Sequence, residues 1–381
     1  FRQLDDFLYL TGLELPGSVL ALDAQGGSML FVPRRDFRFE DPDRPNDFPG
    51  LALADDPEIA RVSAVAVAPI EALDSRLDVW RRAGRPIRYD PGRPGTIREV
   101  ETSLIPDWDP LLLGLYHLQQ MHPDLRILNA HEDVAAARMV KSEAEIAVMR
   151  RAAELSGRAI RIAARQVRHG ATERELEASL EAACKRGGAQ TTAFDPIVKS
   201  GPNSLWPWRI LAAHHDRRNR AMRNGELVIL DVGCELDRYA SDVGRTFPVS
   251  GRFTDEQRRL LEMQIGVADA IIAAVRPGVT FAELQVVADS AIPPEHRPHM
   301  QTGGFFGHHI GLSAADPSLP DAPLAPGMVF TVEPWYYDHE RGIAVCTEDE
   351  VLVTEDGAEL LTAGLPRAPG ALEALVTARS P

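Results

Sequence analysis

Residues 227–247 read LVILDVGCELDRYASDVGRTF, and the fold turns on this stretch. Leu227 to Val232 is apolar except for Asp231, the composition of a strand buried on both faces. A carboxylate at the end of such a strand is costly unless something pairs with it. Eleven residues on, Asp242 opens the returning segment SDVGRTF. A hairpin of that length can bring both carboxylates to the same end of one sheet.

The device recurs farther along the chain. MVFTVE, residues 328–333, ends on Glu333, and AVCTEDEV, residues 344–351, carries Glu348. Each half reads as helix, helix, then a strand pair. Ser142 with Glu145 and Thr172 with Glu175 form capping boxes. The two helices they open, the second stopping at Gly187-Gly188, precede strand 227–232 and its partner 241–249. Helices over 255–275 and 281–290 precede strand 328–332 and its partner 342–353. Pattern alone supports this repeat. A fifth group comes from GGFFGHHIG, residues 303–311, where glycines permit close backbone approach around His308 and His309. Taken singly, each carboxylate reads as a buried salt bridge or strand-end cap, and the histidine as a core residue. Four carboxylates together with a histidine point to a metal centre instead. They cannot all stay ionised in one place without cations, and two divalent ions would neutralise them. Oxygen-rich ligation with one imidazole suits Mn²⁺, and also Co²⁺, Zn²⁺ or Fe²⁺. A pair of such ions activates water near neutral pH and clamps a carbonyl oxygen, which is hydrolysis chemistry.

The surroundings are those of an ordinary globular chain. Its 381 residues predict two domains, with a boundary near Ala137: residues 1–137 and 138–381. In the first, SVLALD and SMLFVP flank Gln25-Gly26-Gly27 as a hairpin, and Asp41 to Pro49 reads as an exposed loop. Val62 to Pro69 reads as a short buried strand and Leu73 to Arg82 as an amphipathic helix. A net charge of −15 argues against a nucleic-acid surface. No apolar stretch reaches the roughly 20 residues of a membrane span. The three cysteines, Cys184, Cys234 and Cys346, show no close spacing and read as buried free thiols, which suits a cytoplasmic, reducing compartment. Phe1 rather than Met opens the chain, which points to a processed N-terminus and leaves room for a removed signal peptide.

These motifs resemble the creatinase / aminopeptidase P / prolidase family of metallopeptidases along nearly the whole chain. FRQLDDFLYLTG resembles the opening of the family's N-terminal domain, and MVKSEAEIAVMRRA its first catalytic-domain helix. The order Asp-x10-Asp, His, Glu, Glu matches the family's ligand segments. The resemblance implies an α/β (α+β) architecture. A pita-bread catalytic domain with a pseudo-two-fold repeat would follow a smaller creatinase-like α/β domain. It implies that Asp231, Asp242, His308, Glu333 and Glu348 are the metal ligands, and that Glu333 also carries the proton to the leaving nitrogen. His308 is preferred over His309 because Gly307, His308 and Gly311 meet the family's Gly-His-x-x-Gly. His214 falls where the family has a substrate-contacting catalytic histidine.

The departures from the pattern lie around the substrate. Gly304 and Ala315 stand where the family has histidines, Cys346 where it has an arginine, and Trp335 where it has a glycine. His309, His299 or His215 could replace a lost histidine. Trp206, Trp208 and Trp335 could line an aromatic pocket, making His309, Trp335 and Trp206 candidate substrate contacts. Arg34, Arg35, Arg38 and Arg44 could meet a substrate carboxylate, although solvated surface arginines are the commoner case. The expected activity is hydrolysis of the bond between an N-terminal residue and proline in a small peptide, by a metal-bridging hydroxide, in a homodimer. A peptidase or amide hydrolase of altered specificity, or a weakly active binding module, are the alternatives.

Overall fold

The computed structural model describes residues 4–34, 53–90, 117, 119–205, 219–300, 306–319 and 321–378. The chain divides into two compact units, 1–134 and 135–381.

In the first unit, helix α1 (Asp5–Thr11) leads to strands β1 (Val19–Ala21) and β2 (Met29–Val32), which pair antiparallel. Helix α2 (Pro57–Ser63) then crosses to β3 (Ala66–Pro69), which lies parallel to β2. Asp56 caps α2 by accepting from the Glu58 backbone at 2.9 Å, and Pro57 occupies the first helical turn, where no N–H is needed. Helix α3 (Leu73–Arg82) follows, and β4 (Ile87–Tyr89) pairs parallel with β5 (Ile127–Asn129). Leu30, Val32 and Ile59 form the core of this unit. The strand expected from Val62 begins only at Ala66. Val62 is in the last turn of α2 and is exposed, because the αL residue Ala64 ends that helix and turns the chain.

Helix α4 (His131–Met139) carries the division between the units. The second unit continues with α5 (Glu143–Ala164) and α6 (Glu173–Arg186), each opened by the expected capping box. Strands β6 (Thr191–Thr192), β7 (Ile197–Ser200), β8 (Leu227–Val232), β9 (Cys234–Glu235) and β10 (Val243–Pro248) come next. Of these, β10, β8 and β7 form one antiparallel sheet in that order. The second half opens with α7 (Asp255–Ala274) and α8 (Phe281–Ala291), again with capping boxes, at Thr254/Gln257 and Thr280/Glu283. It continues with β11 (Val329–Val332), β12 (Tyr336–Asp338), β13 (Ile343–Val345), β14 (Asp349–Val353) and β15 (Ala358–Leu360), and closes with α9 (Pro369–Thr377). Here β11, β14 and β15 form the second antiparallel sheet. Leu155, Ile160, Leu180, Leu261 and Ile271 of the helices share one continuous core with Val228 and Leu230 of β8 and Phe330 of β11. Burying both strands on both faces is what excludes water from their ends.

Two expectations need correction. The segment 342–353 is not one strand. Ile343–Val345 pairs with Tyr336–Asp338, and Asp349–Val353 pairs with Val329–Val332, so Glu348 sits in the break between two ladders. The cysteines are not all free thiols either. Cys184 and Cys234 form a disulfide and Cys346 alone is free, which removes the argument for a reducing compartment. A separation of 50 residues hid the pair, because α6 and β9 meet only in three dimensions.

Candidate active site

The two ladders present their carboxylates through register. In the first, Asp231 lies opposite Gly244, and Asp242 directly precedes the strand. In the second, Val332 pairs with Asp349, so Glu333 and Glu348 face each other one step beyond the last pair. The sheets are joined edge to edge, the Glu348 backbone donating to Gly244 O at 3.0 Å. Arg245, fully buried, clamps the join: Nη2 donates to Asp349 Oδ1 at 2.7 Å and Nη1 to the Glu348 carbonyl. Gly244 keeps this join close: a Cβ there would stand 3.1 Å from Glu348 Oε2 and 3.3 Å from Cys346 Sγ, so both side chains would have to shift by a few tenths of an ångström.

His308 is delivered by a separate segment that runs antiparallel beside β11, His309 bridging to Phe330. Its backbone N–H donates to Thr331 Oγ1 at 3.0 Å, and the Thr331 N–H returns to His308 O at 2.8 Å. Gly307 makes this close approach possible: a Cβ on it would lie 1.8 Å from Thr331 O. The imidazole Nδ1 faces the His309 carbonyl at 3.2 Å, and a carbonyl can only accept, so Nδ1 carries the proton. Nε2 is then the lone-pair nitrogen. It lies 3.6 Å from Asp242 Oδ2 and 3.3 Å from Glu333 Oε1.

The electrostatics are those of a cation site. One ligand atom each from Asp242, His308 and Glu348 lies within 4.8 Å of the others. Asp231 Oδ1, Asp242 Oδ1 and both oxygens of Glu348 are buried without a hydrogen-bond partner. Burial pushes the carboxyls of Asp231, Asp242 and Glu348 well above the usual range, and neighbouring carboxylates push them in the same direction. Burial raises Glu333 too, opposed by His308 and by hydrogen bonds from Trp335 and Thr331. Bare buried oxygens in a crowd of like charge are expensive by themselves, and a divalent ion removes that cost. The donor set therefore fits a hard or borderline divalent metal.

Three further residues brace this centre: Glu350 and Thr331, which carry no signal of their own in the sequence, and Trp335, expected there to meet substrate. Glu350 accepts from the Asp242 N–H at 2.8 Å and from the Ser241 hydroxyl, and burial pushes its carboxyl up to about 8. Thr331 donates to Glu333 Oε1 at 3.3 Å, and Trp335 Nε1 donates to Glu333 Oε2 at 2.8 Å. Each stands two residues from a candidate ligand, the spacing that shares a face on extended chain, and this was the signal available.

The remaining candidates fare differently. His309 is buried and stacks on Phe281, ring centroids 4.9 Å apart, and burial lowers its imidazole to about 4. That is a core placement, against the expectation that it meets substrate or replaces a lost histidine. Alternation explains it, since neighbours on an extended segment face opposite ways. Trp335 is 1% exposed, which contradicts the expected pocket lining. The ring of His299 packs on Tyr336 and its Nδ1 faces Tyr337 O at 3.2 Å. Ala315 is exposed, and Arg34 faces Glu71 at 3.8 Å in an exposed ion pair. Arg35, Arg38, Arg44, Trp206, Trp208, His214, His215 and Gly304 lie outside the described residues. Among the described residues, no helix is long and apolar enough to cross a membrane.

Known proteins share this arrangement of sequence and fold. Residues 147–355 match the model of metallopeptidase family M24, and residues 1–41 that of the aminopeptidase P N-terminal domain. The chain is 30% identical to Xaa-Pro aminopeptidase 3 of Rattus norvegicus, over 100% of this chain and 78% of that protein. It is 28% identical to the Xaa-Pro aminopeptidase of Escherichia coli, over 99% of this chain and 89% of that protein. The solved structure of Pseudomonas aeruginosa aminopeptidase PepP superposes with a TM-score of 0.78 at 30% identity, covering 99% of this chain and 89% of that one. The catalytic unit therefore has the pita-bread fold, preceded by an aminopeptidase P-type N-terminal domain. With a buried carboxylate–histidine cluster fit for divalent metal at the junction of its two ladders, the chain belongs to metallopeptidase family M24.

Proposed function

We propose that this metallopeptidase removes an N-terminal residue that precedes proline, using two divalent ions held by Asp231, Asp242, His308, Glu333 and Glu348, with Mn²⁺ as the first choice. The observation that carries the reading is the cluster in which ligand atoms of Asp242, His308 and Glu348 lie within 4.8 Å of one another while Asp231 Oδ1, Asp242 Oδ1 and both Glu348 oxygens are buried without hydrogen-bond partners. The names of the relatives, Xaa-Pro aminopeptidases and Xaa-Pro dipeptidases, support the substrate class.

When bound, the ions would supply acidification of the attacking water and a Lewis acid for the scissile carbonyl. The chain supplies the rest. Glu333 Oε1, next to His308 Nε2, takes the proton from the attacking water and delivers it to the leaving proline nitrogen. Water oxygen adds to the carbonyl carbon first, with the carbonyl electron pair moving onto oxygen; as that pair returns, the C–N bond breaks and the nitrogen takes the proton held by Glu333. Glu350 and Ser241 fix the backbone that carries Asp242, and Arg245 locks the two ladders at the height of Glu348. His214 is the candidate substrate-contacting histidine, and the active assembly is a homodimer.

A second reading, altered specificity or slow turnover, is favoured by one observation. Exposed Ala315 and buried Cys346 offer no strong donor where the resembling pattern has a histidine and an arginine. Loss of one oxyanion stabiliser costs about 10²–10³ in rate. A peptide panel separates the two readings: an Xaa-Pro dipeptide, an Xaa-Pro-Yaa tripeptide and matched peptides lacking proline, each with Mn²⁺. Proline-dependent cleavage supports the first reading, and the dipeptide-to-tripeptide ratio assigns prolidase or aminopeptidase P action. Cleavage of the proline-free peptides alone would replace it with the second.

A further inference from the structure

Two departures from the resembling pattern meet in space: position 335, a glycine there, is Trp, and position 346, an arginine there, is Cys. Trp335 packs with Cys346, Ala344 and Ile229 in one small buried cluster. Its ring lies on Tyr337, with the planes 4° apart and the centroids 5.6 Å apart. An arginine side chain at 346 would compete for this space, whereas a thiol leaves room for the indole. The packing fixes the direction of the indole N–H, and that N–H donates to Glu333 Oε2 at 2.8 Å.

The two oxygens of Glu333 thereby have different neighbours. Oε2 is engaged by Trp335, while Oε1 accepts from Thr331 Oγ1 at 3.3 Å and lies 3.3 Å from His308 Nε2. A free carboxylate can swing to offer either oxygen or both. An indole N–H is a donor only and does not titrate, so it can hold an oxygen but cannot exchange a proton with it.

We propose that Trp335 is a positioning residue: its N–H holds back Glu333 Oε2, so that Glu333 presents the single oxygen Oε1 toward His308 and the reacting groups. This rests on the role given to Glu333 in the proposed function. It turns a position expected to select substrate into one that orients a metal-facing carboxylate, which is what outer hydrogen bonds do in metal sites.

The test compares the wild-type protein with Trp335→Phe and with a protein carrying 3-benzothienylalanine at 335, which keeps the bicyclic shape but has sulfur in place of N–H. Mn²⁺ affinity is measured by calorimetry, and kcat and KM on an Xaa-Pro-Yaa peptide. The expected result is Mn²⁺ affinity or kcat lower by about 10–100-fold in both variants, with KM within about twofold and an unchanged melting temperature for the benzothienyl protein. Wild-type Mn²⁺ affinity together with wild-type kcat in the benzothienyl protein would overturn the proposal, whatever Trp335→Phe does to folding. Should the wild-type protein cleave no peptide, the peptidase reading fails on its own, and Mn²⁺ affinity alone decides the role of Trp335.

Discussion

At the scale of single residues, the site depends as much on what is absent as on what is present. Gly307 lets the His308 segment lie close against β11, because a methyl group there would sit 1.8 Å from the Thr331 backbone oxygen. Gly307→Ala should therefore destabilise the protein by about 1–3 kcal/mol, the usual cost of overpacking. It should also weaken Mn²⁺ binding, since His308 moves with that backbone. Thermal melts and metal titration check both, and a Gly307→Ala protein equal to wild type in each would refute the close approach. The expectation that four carboxylates meet at one site came from charge inside apolar strands, and the choice of His308 over His309 came from the resembling Gly-His-x-x-Gly pattern. The bracing roles of Trp335, Thr331 and Glu350 were not legible, though each lies two residues from a candidate ligand. A tryptophan reads as core or pocket until a structure shows where its N–H goes. His309 misled for the converse reason: next to His308 in sequence, it faces the opposite side and stacks on Phe281.

At the scale of elements, the helices were the most legible part. Four capping boxes mark starts that the structure reproduces, at Ser142, Thr172, Thr254 and Thr280. Thr254/Gln257 and Thr280/Glu283 carry the same spacing as Ser142/Glu145 and Thr172/Glu175 and make the same reciprocal hydrogen bonds. The break at Glu348 was hidden, because AVCTEDEV is apolar enough to read through as one strand, and the switch of partner from β12 to β11 is a tertiary choice. The disulfide belongs to this scale too. It ties the end of α6 to β9, three residues beyond Asp231, and closes a loop of 50 residues. On the loop-entropy model that restrains the unfolded chain by about 4 kcal/mol. Replacing Cys184 and Cys234 together by alanine should lower the melting temperature by about 5–15 °C for a unit of this size. A non-reducing peptide map showing free thiols at both positions would contradict the pairing.

At the scale of the whole molecule, the second unit was read more fully than the first. Its paired strands carry charge in apolar surroundings, whereas the first unit has short strands, one of which begins four residues later than its composition suggests. The same buried charge makes stability depend on pH and metal together. Burial raises Glu350 from 4.5 to about 8, and Asp231, Asp242 and Glu348 move in the same direction. A carboxyl raised in the fold adds stability that is complete below its unfolded pKa and is lost as pH rises through the folded one. In EDTA, the melting temperature contribution of these groups should therefore fall as pH rises from 4.5 to 8. Mn²⁺ should reverse that fall, because metal binding favours the ionised ligands. Parallel melts across that range check the sign, and a melting temperature in EDTA that climbs as these groups ionise would contradict it. The most direct test of the account is the number of metal ions per chain, counted by elemental analysis after loading with Mn²⁺ and removal of excess. The account predicts two ions in the wild-type protein and fewer than two in Asp242→Ala, with peptide cleavage down by more than about 100-fold. A wild-type protein that holds no metal, or an Asp242→Ala protein that holds two and remains fully active, would contradict it.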